Sequence, residues 1–450
     1  MSAPILLPGA LCLRSAAWIC ALLLGVCRAE AQAPTKPSEN WPCFRGPDRL
    51  GIAAPGNNAV PIEWSDTRNI LWKIELPGRG ASSPIVWEDN VYVTAYDGYG
   101  LEKGDPDANQ SKLVRHLLCV DRLTGKLRWR VHVPLGIARE HQLSDYLSLH
   151  GYASSTPVAD ESGVYVYFGH SGVFAYDHAG TQRWHGALGD RQHNWGSASS
   201  PILHENLLIV HADPESHALL AFDKQSGRRV WSVPTGSGDT WSTPLIVPAG
   251  GRHELVFHHS DVYHSEDRTA SIGAVDPRTG ETLWKCTLLK DYLCPSPVAR
   301  GGVIYWLGYQ KAAAVRAGGK GDVTASHVLW NAARGTEICT PILYDGHLYW
   351  VNEASGVAYC ANAATGQLAY EQRLEPNPGR LYASGVLVRD SLIYVSRENG
   401  AYVVEAGPKF RQLANNRIAS DRSLFNGTPA VSRNRMYLRS DRFLYCIGQK

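Results

Sequence analysis

Three sets of residues in this sequence have the types and spacing that chemistry would need. His258 and His259, with Tyr263 and His264 just beyond, gather imidazoles that could hold a transition metal. A segment of this kind fixes no ligand geometry, so a solvated loop is the expectation. Gly151-Tyr152-Ala153-Ser154-Ser155-Thr156-Pro157 offers hydroxyls where a nucleophile could sit. The same Ser-Ser-Pro run recurs at Ser82-Ser83-Pro84 and Ser199-Ser200-Pro201, and recurrence points to architecture. The cysteines past residue 31 are Cys43, Cys119, Cys286, Cys294, Cys339, Cys360 and Cys446. Their number is odd and no C-x-x-C spacing occurs, so neither a disulfide framework nor a zinc site is signalled. Cys294 and Cys339 could face each other, but a bridge needs Cα atoms within ~7 Å. No catalytic residue and no metal ligand set is expected.

The elements that position these residues are repeats. One unit opens on Ser/Thr-Pro, continues through a Val-Tyr-Val-like strand and ends in Asp-x-x-Thr-Gly followed by Trp. The opening prolines are Pro84, Pro157, Pro201, Pro244, Pro297, Pro341 and Pro429, with Gly385 in the equivalent place. Their spacings of 73, 44, 43, 53, 44, 44 and 44 residues give eight units near the period of four-stranded propeller blades. In Asp121 to Trp129, Asp121 can bond forward to the turn backbone, and Gly125 can supply the positive φ that closes a hairpin. Asp177 to Trp184, Asp223 to Trp231 and Asp276 to Trp284 repeat it, and Asn362 through Gly366 to Tyr370 is a weaker copy. Trp330 stands in a unit whose turn has degenerated. Two positions before the turn Asp or Asn, Cys119 and Cys360 replace an alanine and read as small core residues.

The last unit stops after Phe443 to Ile447 with no outer strand to follow. Ile70-Leu71-Trp72-Lys73-Ile74 precedes the first proline and looks like that missing strand. The fold expected is an all-β, eight-bladed propeller of four-stranded blades over residues 70–450, its last blade closed by an N-terminal strand.

Ahead of it, residues 1–31 read as a signal peptide, with Arg14, an apolar stretch from Ala16 to Val26 and small residues at Ala29 and Ala31. Residues 32–69 form an N-terminal extension. Export to the periplasm or outside is expected. Membrane attachment follows only if Leu24-Gly25-Val26-Cys27 acts as a lipobox and Cys27 is lipidated. A formal charge of +2 without a Lys/Arg run argues against nucleic acid, and a monomer is expected.

The repeats, from Ala175-Tyr176-Asp177 to Trp184 and Ala221-Phe222-Asp223 to Trp231, resemble those of the pyrroloquinoline-quinone (PQQ) propeller family. The opening Trp41-Pro42-Cys43-Phe44-Arg45-Gly46-Pro47 looks like the start of many exported bacterial members. The resemblance implies one of two roles: a quinone-dependent alcohol or sugar dehydrogenase, or a non-catalytic propeller such as the assembly lipoprotein BamB. The alcohol dehydrogenases hold the quinone against a disulfide of adjacent cysteines and bind Ca²⁺ beside a catalytic Asp. This sequence has no Cys-Cys pair and no recognisable calcium motif. The expected function is an exported binding or scaffold propeller without a cofactor; PQQ with calcium belongs to the alternative, the dehydrogenase.

Insertions place the site on one face. Trp129 to Pro157 spans 28 residues against 13 for Trp231 to Pro244, bringing His141, Asp145, Tyr146 and His150. Val93 to Asp121 also spans 28, bringing Asp97, Tyr99 and Asp105. Before the innermost strands stand Arg79, His150, Tyr152, His193, Trp195, Trp241, Glu337, Tyr382 and Phe425, the expected binding residues at the funnel mouth. Aromatics and Arg of this kind favour a protein or an extended ligand.

Overall fold

The computed structural model describes residues 39–57, 59–101, 109–135, 139–236, 238–260, 269–290 and 294–449. The signal segment with Cys27, and Asp105, Tyr263 and His264, lie outside the described residues. Eight sheets follow one another around a central channel, antiparallel except that Gly321–Asp322 adds a short parallel pair to the outer strand Thr282–Lys290. In the first, Ile85–Trp87 is innermost, followed by Asn90–Asp97, Val114–Asp121 and the outer Leu127–Pro134. Every innermost strand starts on the residue after the repeat's proline or glycine: Ile85, Val158, Ile202, Leu245, Val298, Ile342, Val386 and Ala430. Pro lacks the N–H that a ladder needs, so it fits just ahead of a strand and marks the entry.

Second and third strands are buried on both faces, because each sheet is sandwiched between its neighbours. Gly163–Tyr167 and Leu207–Ala212 are buried at every residue, whereas the outer strand Val328–Ala333 alternates half-buried and exposed. Cys119 and Cys360 lie fully buried on third strands opposite Trp129 and Tyr370. The eighth sheet closes as expected: Ile70–Glu75 runs antiparallel to Phe443–Ile447, with Lys73 opposite Tyr445 and Glu75 opposite Phe443.

The closing motif is a docking joint between blades. Asp121 Oδ1 accepts from the Thr124 N–H at 2.8 Å, and Gly125 takes φ +71°. The preceding blade's tryptophan lies on that glycine and donates to the carbonyl one residue after the turn Asp. Trp72 reaches Arg122 O at 3.2 Å, Trp129 reaches His178 O at 2.9 Å, Trp184 reaches Lys224 O at 3.0 Å and Trp231 reaches Pro277 O at 3.1 Å. Trp330 does the same to Ala363 O at 2.9 Å. Trp284 faces the degenerate turn and instead donates to Glu254 at 2.8 Å, whose carboxylate also accepts from the Gly318 N–H.

A methyl group on Gly227 would lie 2.6 Å from the Trp184 ring. Gly227→Ala is therefore expected to lower the unfolding free energy by about 2 kcal/mol or more, from left-handed backbone strain plus lost ring packing. Gly346→Ala is the control, because Gly346 has a similar φ of +70° and nothing within 4 Å. Equal urea midpoints for the two variants would show that the ring contributes nothing.

One expectation is corrected here. His258 and His259 belong to the strand Arg252–Ser260 rather than to a solvated loop. The His258 ring is fully buried 5.6 Å from Trp306, and burial pushes its pKa down to about 3. The second strand of this blade runs on through both histidines, pairing them with Ile272 and Ser271.

Candidate functional site

The repeats explain the channel wall. The residue just before each proline, from Ser83 in the first unit to Thr428 in the last, carries a hydroxyl and lines the channel. Each of these hydroxyls except that of Ser83 accepts from the backbone N–H of its counterpart one blade earlier. Thr156 accepts from Ser83 at 3.0 Å, Ser200 from Thr156 at 3.0 Å, and the relay continues to Thr428 from Ser384 at 3.0 Å. Seven such bonds form a belt that satisfies N–H groups no sheet can reach. Two residues further back the wall varies: Ala81, Ser154, Trp241, Cys294, Tyr382 and Asn426 are among those that line it. The constant ring builds the channel and the variable ring gives it character.

The extension supplies a floor. Trp41 exchanges backbone bonds with Val86, the Ala159 N–H donates to Pro42 O, and Leu387 pairs with both Gly51 and Ala53. This strap thus crosses innermost strands of the first, second and seventh blades, and Phe44 enters the channel lining from it. The Arg45 guanidinium, buried, donates to Gly385 O at 3.0 Å, Thr340 O at 3.3 Å, Leu50 O at 2.7 Å and Pro341 O at 2.5 Å. Burial lowers its pKa to about 10.

At the mouth, the rings of Trp195 and Tyr146 stack 4.4 Å apart at 21°, and Trp241 lies 5.8 Å from Trp195. Trp241 is held by its indole N–H on Gly196 O at 2.8 Å. His150 contacts Trp195 O through Nε2 at 2.8 Å and Ser154 Oγ through Nδ1 at 2.5 Å. Burial lowers its pKa to about 4, so at neutral pH Nε2 donates and Nδ1 accepts. Arg397 stands 4.2 Å over the Tyr382 ring and donates to Leu149 O at 3.1 Å. The half-open space between these residues is about 160 Å³.

Of the residues expected at the mouth, His150, Trp195, Trp241 and Tyr382 line this space, while Arg79, Tyr152, His193 and Glu337 stand beside it. Arg79 donates to Leu101 O. Tyr152 is a core residue, edge-on to Tyr96 at 5.5 Å, its hydroxyl on His141 O at 2.8 Å. His193 lies 3.1 Å from Asp239, and the Glu337 N–H donates to Glu353 at 3.0 Å. Phe425 is buried against Tyr445. Sequence reasoning missed Phe44, Cys294 and Asn426 as wall residues. The third place before each proline was the available signal for the last two.

The first insertion is clasped onto blades two and three by buried ionic groups. Arg115 pairs with Glu140, both wholly buried. His141 donates through Nε2 to Glu215 at 2.9 Å and accepts through Nδ1 from the His193 N–H at 3.2 Å. Burial opposes the Glu215 charge, but the bonds from His141, Ser197 and Tyr167 outweigh it and hold its pKa below the ordinary value. Ser197 gives its proton to Glu215, and both His141 nitrogens are engaged, so no base is free to activate it.

Three groups of acidic and imidazole side chains among the described residues come close enough to share a metal: Glu140 with His141 and His170, His204 with Glu205 and His253, and Asp213 with His217 and Asp239. In each, an arginine already neutralises a carboxylate: Arg115 on Glu140, Arg278 on Glu205 and Arg191 on Asp239. The arrangement is that of structural ion pairs.

Comparison with known proteins decides the family. The family model described as outer membrane protein assembly factor BamB matches residues 114–372 and again 268–442. The chain belongs to the BamB family. BamB from Moraxella catarrhalis superposes with a TM-score of 0.55 at 14% identity, covering 85% of this chain and 97% of that one. A europium-containing methanol dehydrogenase gives 0.61 at 9% identity, covering 91% and 98%. The computationally designed protein Ika8 gives 0.54 at 11%, covering 84% and 99%. At such identities these structures share the fold alone. No curated protein matches the sequence.

Members of the BamB family share their repeat with quinone enzymes, so the fit of a quinone to this channel is a fair test. Among the described residues, those that line the channel pocket include no Asp or Glu to hold calcium and no Lys or Arg to meet the carboxylates of pyrroloquinoline quinone. The seven described cysteines are free thiols and none is adjacent to another. This BamB-family channel does not fit the group.

Proposed function

We propose that this protein is an exported, non-catalytic binding propeller that takes an extended protein segment at its loop-rich face. The observation that carries the reading is the channel itself: aromatic at the mouth, uncharged along the wall and floored by Phe44. Such a pocket offers burial and stacking, and the Cys294 thiol that lines it is held protonated by burial, its pKa raised to about 12. The signal-like start of the sequence and membership of an outer-membrane assembly family both support export.

The test uses fluorescein-labelled extended peptides bearing aromatic residues, with anisotropy as readout. Trp195→Ala is expected to weaken binding by about 2 kcal/mol, roughly 30-fold, as for a central aromatic anchor. Tyr146→Ala, exposed and stacked on Trp195, is expected to act in the same direction. Addition of pyrroloquinoline quinone and Ca²⁺ is expected to give no bound chromophore and no dye-linked alcohol oxidation. Turnover after that addition would replace this reading with the dehydrogenase.

A further inference from the structure

We propose that the groove beside the strap, on the face opposite the loops, binds an extended acidic peptide segment through Arg300 and Arg389. This surface is separate from the channel mouth and does not depend on the role proposed for it.

The strap creates the groove. Ile52 bridges Leu387 in parallel, and the Ala53 N–H donates to Leu387 O at 2.8 Å, so the segment lies along the seventh blade. Arg300 and Tyr344 end the innermost strands of blades five and six, and Arg389 directly follows that of blade seven. All three therefore stand at hairpin turns on the face away from the loops. Between them and Pro47, Ile52 and Pro55 of the strap runs a half-open groove of about 540 Å³.

Its charge is unbalanced. Both arginines are exposed, and among the described residues neither side chain makes a hydrogen bond or an ion pair. In the flanking blades the corresponding turn arginines are matched: Arg252 in blade four with Glu254, and Arg433 in blade eight with Glu39 and Asp89. Asp48 is the one carboxylate in the lining. Burial pushes its pKa up, while the Leu50 N–H, donating at 3.0 Å, and the charge of Arg300 pull it the other way. Asp390, next to Arg389 in the chain, acts on Arg411 alongside Glu405. Two guanidiniums thus share one partly buried carboxylate.

Charge complementarity selects the occupant. A guanidinium gives a carboxylate two parallel bonds, so two separated acidic side chains match the two arginines. An exposed pair of this kind contributes little by itself. Ile52, Pro47, Pro55 and the Tyr344 ring add apolar surface for side chains lying between the charges. Blade order puts Tyr344 between Arg300 and Arg389, so the matching segment crosses three successive turns and carries acidic residues on either side of an apolar centre. A phosphate backbone would gain nothing from the apolar wall and would meet Asp48.

The experiment measures the anisotropy of fluorescein-labelled peptides, free of aromatic residues, in which two glutamates flank leucines at increasing separations. The full mature protein is the receptor. At the best separation, Arg300→Gln or Arg389→Gln is expected to weaken binding about threefold and the double variant about tenfold. Replacing both glutamates of the peptide by glutamine is expected to cost as much as the double variant. Equal binding of the glutamate and glutamine peptides, a comparison that needs no variant, would overturn the inference, as would binding untouched by the double variant. Tighter binding of a short oligothymidylate than of any peptide would overturn the peptide assignment in favour of phosphate. Weakening by Trp195→Ala and not by the double variant would put the peptide at the channel mouth and overturn the groove. No binding of any of these peptides would overturn this inference and leave the mouth's role standing.

Discussion

A chain beginning at Leu76 is expected to aggregate, while one beginning at Asn69 folds as a less stable monomer. The two differ by the strand Ile70–Glu75, whose Ile70, Leu71, Trp72 and Ile74 pack on the core shared by the first, seventh and eighth blades. Without it Phe443–Ile447 becomes a free edge, with backbone groups ready to pair with another chain. The joint to the first blade goes as well, because Trp72 covers Gly125 and bonds Arg122 O. Size-exclusion chromatography with a thermal melt reads both effects. Identical elution and melting of the two truncations would mean that the ring does not depend on this strand.

Arg45→Ala is expected to cost about 3 kcal/mol or more, large for a substitution far from any ion pair. Its guanidinium is the shared donor for five carbonyl oxygens, Arg49 O at 3.4 Å among them, and three of the five belong to the entries of blades six and seven. Removing it leaves those acceptors buried beside a void. Arg45→Lys should restore less than half of the loss, because an ammonium cannot reproduce the planar fork that reaches several carbonyls at once. Urea midpoints measure this. A change below 1 kcal/mol for Arg45→Ala would show that water replaces the side chain without penalty.

What was legible in the sequence followed from periodicity. Pro84 and its counterparts mark strand entries because a residue without an N–H fits there in every blade, and Asp223 with Gly227 and Trp231 marks a joint for equally local reasons. Ring closure through Ile70–Glu75 was readable as a missing strand at one end and a spare one at the other. The site was less legible. His150, Trp195, Trp241 and Tyr382 stood out as large or polar residues near inner strands, but so did Tyr152 and Phe425, which turn into the core. Chain position does not reveal which way a side chain points outside regular strands. Trp41 to Pro47 was visible as a motif, yet nothing in its composition says that Arg45 meets carbonyls some 300 residues away. The clasp of Glu140, His141 and Glu215 was hidden for the same reason, since its members come from different loops.

The strap also alters how the molecule should come apart. A ring of repeats in which each blade touches only its neighbours is close to a one-dimensional chain, and such arrays can fray unit by unit. Here a single segment binds Val86, Ala159, Leu203 and Leu387 and reaches Pro341 through Arg45. It therefore couples units on opposite sides of the circle. Long-range couplings of that kind penalise partly opened rings, so the eight blades share one fate, and loss of a single seam is transmitted across the diameter instead of around the rim.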